Sequence, residues 1–167
     1  MITIFFSRLH SNAILPSKRS EDAGYDIYPC FDEDYILIPP HKTISIPTGI
    51  ASCFSRDYYI QLVERGSTGI KGIAQRCGVI DSGYRGEWFV PITNTNDISL
   101  YIIKSKFLSS EDVQEKTAEY IIYPAEKAIC QAVVLPVPLT QIKEITYENL
   151  LKFESKRASG KLGSSLK

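Results

Sequence analysis

Short apolar runs, each closed by proline, glycine or a polar turn, recur along most of this chain and restrict the folds it can adopt. The runs are rich in Ile, Val, Tyr and Phe, which favour a half-buried pleated sheet, and they end before a helix of ordinary length could form. The clearest runs are residues 2–6, 35–40, 43–50, 58–63, 119–124 and 128–136. This pattern predicts a largely β fold with successive antiparallel strands.

Length and charge limit the class of protein. The 167 residues, 44% of them hydrophobic, are enough to bury the core of one domain. The 19 basic and 19 acidic side chains cancel, which gives no indication of nucleic acid or a membrane surface as a partner. No stretch approaches the roughly 20 apolar residues of a membrane span. We therefore expect a soluble, cytoplasmic protein that binds neither nucleic acid nor membranes.

Cysteine and histidine usage argues against a transition-metal site. Cys30, Cys53, Cys77 and Cys130 are scattered without C-x-x-C spacing, which is typical of buried free thiols rather than of zinc ligands or a disulfide framework. The chain has only 2 histidines, so a histidine-based metal site or catalytic triad is poorly supplied.

Polar chemistry is concentrated between two apolar runs, in the stretch Gly78–Glu87. The pattern predicts a β-hairpin whose Asp-Ser-Gly turn uses a positive φ at Gly83. Its tip would hold the carboxylate of Asp81, the phenol of Tyr84 and the guanidinium of Arg85. A charged, solvated turn without function is the alternative interpretation.

Other segments carry groups suited to an anion or a metal ion. Residues 65–69, Arg-Gly-Ser-Thr-Gly, offer a guanidinium, two hydroxyls and two glycines, although a glycine-rich turn fits equally well. Residues 152–167 repeat arginine, glycine and serine without apolar periodicity, which predicts a disordered tail that could close over a polyanion. Asp26 follows small residues at the start of a run. Gln131 interrupts an apolar run and is more often a core or edge amide than a ligand contact.

Five motifs follow one another in an order that characterises a known family. They are Asp-Ala-Gly-Tyr-Asp at 22–26, Arg-Gly-Ser at 65–67, Gly-Val-Ile-Asp-Ser-Gly-Tyr-Arg-Gly-Glu at 78–87, Ile-Cys-Gln at 129–131 and Arg-x-x-Gly-x-x-Gly-Ser-Ser at 157–165. In this order the chain resembles the trimeric dUTP pyrophosphatases (dUTPases) over nearly its whole length. The segment Ile-Pro-Thr-Gly-Ile at 46–50 also resembles the framework of that family.

The resemblance implies an all-β, jelly-roll-like subunit that assembles as a homotrimer with active sites shared between subunits. Residues 1–151 would form the β domain, and residues 152–167 would be a flexible C-terminal tail that closes over the site. The reaction would be the hydrolysis of dUTP to dUMP and pyrophosphate, by attack of water on the α-phosphate. Mg²⁺ would be bound to the triphosphate.

The resemblance also implies roles for individual residues. Asp81 would orient and deprotonate the attacking water, Asp26 would hold a water of the Mg²⁺ shell, and Tyr84 would pack on the deoxyribose. The other substrate-binding residues would be Arg65, Ser67, Thr68, Gln75, Gly78, Val79, Gln131, Arg157, Leu162, Gly163, Ser164 and Ser165. Among these, the backbone at Gly78 and Val79 would contact uracil, and the tail residues would contact the terminal phosphate.

The chain departs from the family pattern at several positions. Gly66 interrupts the usual arginine–serine pair, and Ala128 stands where the family usually has arginine. Leu162 stands where a phenylalanine stacks on uracil. A substitute would be Trp88 or Phe89, which lie on opposite faces of a regular strand, although burial in the core or an interface is the more common role of such residues. The alternatives are that both pack in the core, or that Leu162 itself covers the base.

The connection 95–120 is longer than in most members of the family. We expect a neutral surface insertion, with a binding surface for a protein partner as the alternative. Two other functions stay open. One is an enzyme related to dCTP deaminases, although Pro91 stands where deaminases place a catalytic glutamate. The other is a regulatory protein that binds a partner through the insertion.

Overall fold

A computed structural model of the protein describes residues 2–76, 78–108 and 119–155. Its strands are β1 (Phe5–Arg8), β2 (Gly24–Ile27), β3 (Tyr35–Ile38), β4 (Thr43–Pro47), β5 (Ile50–Cys53), β6 (Tyr58–Val63), β7 (Ile73–Gln75), β8 (Val79–Ile80), β9 (Phe89–Asn94), β10 (Ser99–Ile103), β11 (Tyr120–Pro124) and β12 (Cys130–Pro136). The helices are short: α1 (Gly66–Gly69), a 3₁₀ turn (Ser105–Phe107) and α2 (Tyr147–Leu150). The predicted all-β, jelly-roll-like fold is confirmed.

Within the described residues the strands form four small sheets, ordered β1–β5, β11–β10–β3, β2–β12–β6–β8 and β4–β9–β7. Every pairing there is antiparallel except that of β10 with β11, in which Ser99 lies opposite Tyr120. Most partners are far apart in sequence, as a jelly roll requires. The same sheet therefore collects residues from both ends of the chain.

Two predicted strands have different bounds in the structure. The first strand begins at Phe5 rather than at residue 2. The run 43–50 is divided into β4 and β5, because Gly49 adopts a φ of +66° that takes the chain out of the extended conformation. A Cβ at Gly49 would also lie 2.9 Å from the Cys30 Sγ, so this position has room for glycine alone.

The prediction of a β-hairpin at Gly78–Glu87 is wrong. β8 pairs with β6, whereas β9 pairs with β4 and β7, so the strands on either side of the stretch belong to different sheets. The predicted turn itself is formed, since the Tyr84 N–H donates to the Asp81 carbonyl at 3.1 Å. Gly83 does not adopt the predicted positive φ. The segment carries the chain from one sheet to the next.

The core is built from isoleucine-rich inner faces of these sheets. Trp88 is its largest side chain, with an exposed fraction of 0%, and it packs edge-on against Phe6 with ring centroids 5.4 Å apart. Val90 and Ile92 of β9 are likewise fully buried, whereas Phe89 between Trp88 and Val90 is 43% exposed. The alternation expected of a regular strand is therefore present here.

The connection 95–120 is not wholly a surface insertion. Its first part forms β10, which lies between β11 and β3 and buries Leu100 and Ile102 completely. β10 and β11 are parallel, and parallel neighbours need a crossover connection, which explains the extra length. Residues 109–118 lie outside the described residues. The prediction of an insertion therefore applies only after Ile103.

The chain divides into two compact units, residues 1–137 and 138–167. The second unit contains α2, whose N-terminus is capped by Thr146 through a 3.3 Å bond to the Asn149 N–H. The predicted boundary after residue 151 falls inside this unit. None of the helices in the described ranges is long and apolar enough to cross a membrane.

Candidate active site

An open polar pocket of about 810 Å³ lies beside β2 and β12. It is lined by Ser17, Lys18, Arg19, Glu21, Asp22, Ala23, Gly24, Asp26, Arg65, Gln131 and Val133. Three of the residues predicted from the family resemblance, namely Asp26, Arg65 and Gln131, therefore share one cavity. We call this cavity the polar pocket.

The carboxylate of Asp26 connects these three side chains. Asp26 on β2 lies opposite Gln131 on β12, and the Gln131 Nε2 donates to the Asp26 Oδ1 at 3.2 Å. The Arg65 Nε lies 3.4 Å from the same oxygen. Gly24 permits this arrangement, because a Cβ there would lie 3.0 Å from the Gln131 Cβ. The absence of a side chain at Gly24 thus allows the close approach of β12.

The guanidinium of Arg65 is oriented by the main chain. Its Nη1 donates to the Ala128 carbonyl at 2.9 Å, and the side chain is 25% exposed. An arginine has five N–H donors, so three remain after the bonds to Ala128 and Asp26. A partly buried guanidinium with free donors is suited to a phosphate group.

The two hydroxyls beside Arg65, those of Ser67 and Thr68, differ in their exposure to a ligand. Ser67 on α1 is exposed. Thr68 was expected to contact substrate, but its side chain is 0% exposed and its Oγ1 donates to the Arg65 carbonyl at 2.8 Å. The structure therefore uses the Thr68 hydroxyl to close the loop.

Gln75 lines neither this pocket nor the one described next, and its main-chain N–H donates to the Glu64 Oε1 at 3.1 Å.

A second, more apolar pocket of about 280 Å³ lies between β8 and β9. It is lined by Leu62, Gly78, Val79, Ile80, Asp81, Tyr84, Glu87, Phe89 and Pro91. Four of the predicted site residues, namely Gly78, Val79, Asp81 and Tyr84, are therefore brought together here. We call this cavity the apolar pocket.

Asp81 is exposed at the rim of the apolar pocket. Its carboxylate makes no hydrogen bond to any part of the chain that the structure describes. Tyr84 is 44% exposed, and its hydroxyl donates to the Glu87 carbonyl at 2.9 Å. The pocket thus combines an unpaired carboxylate with a fixed phenol ring.

The turn that carries Asp81 is held by the segment 46–50. The buried Thr48 Oγ1 donates to the Trp88 carbonyl at 2.6 Å, and the Trp88 N–H donates to the Ile50 carbonyl at 2.9 Å. The Gly49 N–H donates to the Glu87 Oε1 at 2.7 Å. In sequence, this segment only resembles the framework of the family. The structure shows that it positions the turn.

The two aromatic candidates for base stacking are distinguished by burial. Trp88 is fully buried, so it does not face a ligand, whereas Phe89 lines the apolar pocket. The Trp88 alternative is therefore wrong. The predicted site residues of the tail lie outside the described residues; they are Arg157, Leu162, Gly163, Ser164 and Ser165.

Asp26 of the polar pocket and Val79 of the apolar pocket lie on opposite edge strands of one sheet. Asp26 is on β2 and Val79 is on β8, and the order β2–β12–β6–β8 separates these strands by three spacings. At about 4.8 Å per spacing, the separation is about 14 Å. One chain therefore presents the predicted phosphate-binding residues and the predicted base-binding residues in two separate cavities.

Comparison with known proteins identifies the family. Residues 10–107 match the family model described as dUTPase. The deoxyuridine 5′-triphosphate nucleotidohydrolase of Syntrophotalea carbinolica is 32% identical over 136 residues, which cover 79% of this chain and 86% of that relative. The structure of the Staphylococcus bacteriophage 80alpha dUTPase with dUPNHPP matches with a TM-score of 0.74 and 23% identity over 99% of both chains. A mutant dUTPase from phage phi11 of S. aureus, described with a structural Mg(II) ion, matches with a TM-score of 0.67, 22% identity and coverage of 87% and 99%.

The fold, the two pockets and these relatives define an all-β nucleotide hydrolase. Within that class the chain belongs to the dUTPase family. It is a dUTP diphosphatase, an enzyme that hydrolyses dUTP to dUMP and pyrophosphate.

Proposed function

We propose that Asp81 is the general base of this hydrolysis and that the two pockets form one active site across a subunit boundary. The observation that carries the proposal is the exposed, unpaired carboxylate of Asp81 at the rim of the apolar pocket. A carboxylate without internal partners is available to accept a proton from water. The attacking oxygen would bond to the α-phosphorus, its proton would pass to Asp81, and the bond to the bridging oxygen would break to release pyrophosphate.

The polar pocket supplies the charge that this reaction needs. Arg65 has three N–H donors without a partner among the described residues, and the Gln131 amide contacts the same Asp26 oxygen. Phosphoryl transfer depends on positioning and on neutralisation of charge more than on covalent catalysis. A fixed guanidinium beside an amide therefore suits the α- and β-phosphates of dUTP.

The residues of the polar pocket also fit Mg²⁺. This ion retains most of its water and is usually held by one or two carboxylates together with substrate phosphates. Among the described residues no group of three or more His, Cys, Asp or Glu is placed to hold a metal ion. The 30% exposed Asp26 would hold the hydrated ion through the oxygen that Gln131 and Arg65 leave free. When bound, the ion would neutralise charge on the triphosphate.

The apolar pocket is suited to the uracil and the deoxyribose. Its lining includes the apolar side chains of Phe89 and the 60% exposed Val79, together with Gly78. The ring of Tyr84 would pack on the sugar and leave no room for a 2′-hydroxyl. Phe89 would supply the aromatic contact for which the family uses a phenylalanine at the position of Leu162.

A homotrimer would join the two pockets. In one chain Asp26 and Val79 lie on strands about 14 Å apart, and the residues predicted for phosphate and for base line separate cavities. Assembly would place the apolar pocket of one subunit against the polar pocket of its neighbour. The tail residues Arg157, Ser164 and Ser165 would then complete the site around the terminal phosphate.

The alternatives are less well supported. Pro91 lines the apolar pocket where a deaminase would need a catalytic glutamate, and proline cannot transfer a proton. Binding of a protein partner through 95–120 would be additional to catalysis. For that role the described residues offer an apolar cavity of about 230 Å³ that includes the 44% exposed Phe107.

Substitution of Asp81 by asparagine tests the proposal. Asparagine keeps the shape but not the base, so turnover of dUTP should fall about 10²- to 10⁴-fold, while the affinity for a non-hydrolysable dUTP analogue is retained. Asp34→Asn removes the same charge from an exposed position outside both pockets and should leave turnover unchanged. Turnover of Asp81→Asn at the level of this control would exclude Asp81 as the base.

A further inference from the structure

The loop before β2 contributes charged residues to the polar pocket that the family resemblance does not assign. Its start is tied to Asp26, because the Asp26 N–H donates to the Ser17 carbonyl at 2.8 Å. The Lys18 Nζ donates to the Asp22 carbonyl at 2.6 Å and lies 5.3 Å from the centre of the Tyr25 ring. These contacts hold the loop beside Asp26.

Arg19 occupies the middle of this loop and is fixed by Asp22. The Arg19 Nε lies 2.9 Å from the Asp22 Oδ2, and its Nη2 lies 3.2 Å from Oδ1, so the guanidinium and the carboxylate form a two-point contact. This hydrogen bonding lowers the pKa of Asp22 and raises the pKa of Arg19, to which the nearby Asp26 carboxylate also contributes. Two of five donors are used, so three N–H groups of Arg19 remain for a ligand.

The ion pair itself adds little to stability. The Arg19 side chain is 88% exposed, so solvent screens the pair and its contribution to stability is small. Its clearer effect is to hold a long, flexible side chain in one place at the wall of the pocket. An arginine that is already ordered loses less conformational entropy when it binds a phosphate.

The charge of the pocket also requires these basic residues. Its acidic side chains are Glu21, Asp22 and Asp26, and its basic side chains are Lys18, Arg19 and Arg65. With Arg65 alone the sum would be +1 − 3 = −2, which repels a polyanion, whereas all three basic residues bring the sum to zero. Lys18 and Arg19 therefore reduce the repulsion that a triphosphate would meet in the pocket.

We propose that Arg19, held by Asp22, is a further phosphate-binding residue that contacts the pyrophosphate part of dUTP. This inference rests on the proposed function, because it assumes that the polar pocket receives the phosphates. Arg19 would contribute to the preference for the triphosphate over dUMP. It would bind the ground state and the transition state alike, so its loss would raise KM without changing kcat.

The test compares Arg19→Gln with Arg56→Gln. Arg56 is exposed, lines none of the cavities described above, and its substitution removes the same charge. Arg19→Gln should raise the KM for dUTP and the Kd for inorganic pyrophosphate about fivefold, as expected for one partly exposed charged hydrogen bond. The Kd for dUMP, kcat and the melting temperature should not change. Arg19→Lys, which keeps the charge but loses the fork, should give an intermediate Kd.

Calorimetry with pyrophosphate separates this inference from the proposed function. If dUTP is not turned over but Arg19→Gln still weakens pyrophosphate binding, the role of Arg19 stands and the assigned reaction is wrong. If Arg19→Gln and Arg56→Gln bind pyrophosphate equally well, Arg19 is not a phosphate-binding residue. A melting temperature lowered in Arg19→Gln but not in Arg19→Lys, with equal pyrophosphate affinity in both, would likewise overturn the proposal.

Discussion

Replacement of Glu87 by alanine should loosen the turn that carries Asp81. The Glu87 Oε1 accepts a hydrogen bond of 2.7 Å from the N–H of Gly49, which is buried. Gly49 is fixed at a φ of +66° by its surroundings, so its N–H cannot easily turn toward another acceptor. A buried donor left without a partner costs about 1–3 kcal/mol, and we take about 2 kcal/mol because the lost acceptor is charged.

For a protein of this size each kcal/mol corresponds to about 2–4 °C, so the melting temperature of Glu87→Ala should fall by about 4–8 °C. Turnover should fall further than stability explains, since small misplacement of a catalytic group lowers the rate strongly. Thermal melting and steady-state turnover measure the two effects. Glu33→Ala, which removes the same charge from an exposed site, is the control, and Glu87→Gln should recover part of the loss. If Glu87→Ala and Glu33→Ala have the same melting temperature, the Gly49 contact does not stabilise the turn.

Two other outcomes follow from burial. Phe89→Leu should raise the KM for dUTP roughly 5- to 160-fold, because stacking on a base contributes about 1–3 kcal/mol. Phe5→Leu, at a 67% exposed site, should leave KM unchanged. Equal KM values for the two variants would show that the base has no aromatic cover. Cys130 should resist iodoacetamide at mildly alkaline pH while the chain is folded, because burial raises the pKa of its thiol to about 12. Mass spectrometry that finds Cys130 modified as fast as the half-buried Cys53 would contradict this.

The sequence predicts the strands well and their pairing poorly. β-branched and aromatic runs mark β3, β6, β11 and β12 within a few residues, because strand formation depends on local side-chain shape. The apolar–turn–apolar pattern at 78–87 does not specify which strand lies beside β8 or β9. Their partners are chosen by packing between distant segments, so the predicted hairpin was wrong, although a turn does form between Asp81 and Tyr84.

The site shows the same division between residue type and position. The resemblance identified Asp26 and Gln131, but only the antiparallel pairing of β2 with β12 places them 3.2 Å apart. Thr68 has the right functional group for a phosphate contact, yet the tight turn of α1 takes its hydroxyl inward. The role of Gly49 depends on a backbone angle that composition does not reveal. In each case the sequence shows the residue type but not the strand pairing, side-chain direction or backbone angle that decides its role.

The central claim is that the apolar pocket of one subunit and the polar pocket of another form a single site. Mixing Asp81→Asn subunits with Arg65→Gln subunits under conditions of exchange tests it, since each variant leaves one pocket intact. If the two pockets of each site come from different subunits of a trimer, each pocket is intact in about half of the sites after random 1:1 assembly. Both pockets are then intact in about a quarter of the sites, so about a quarter of wild-type activity should return. Activity that stays at the level of the separate variants, although size exclusion shows mixed oligomers, would contradict a shared site.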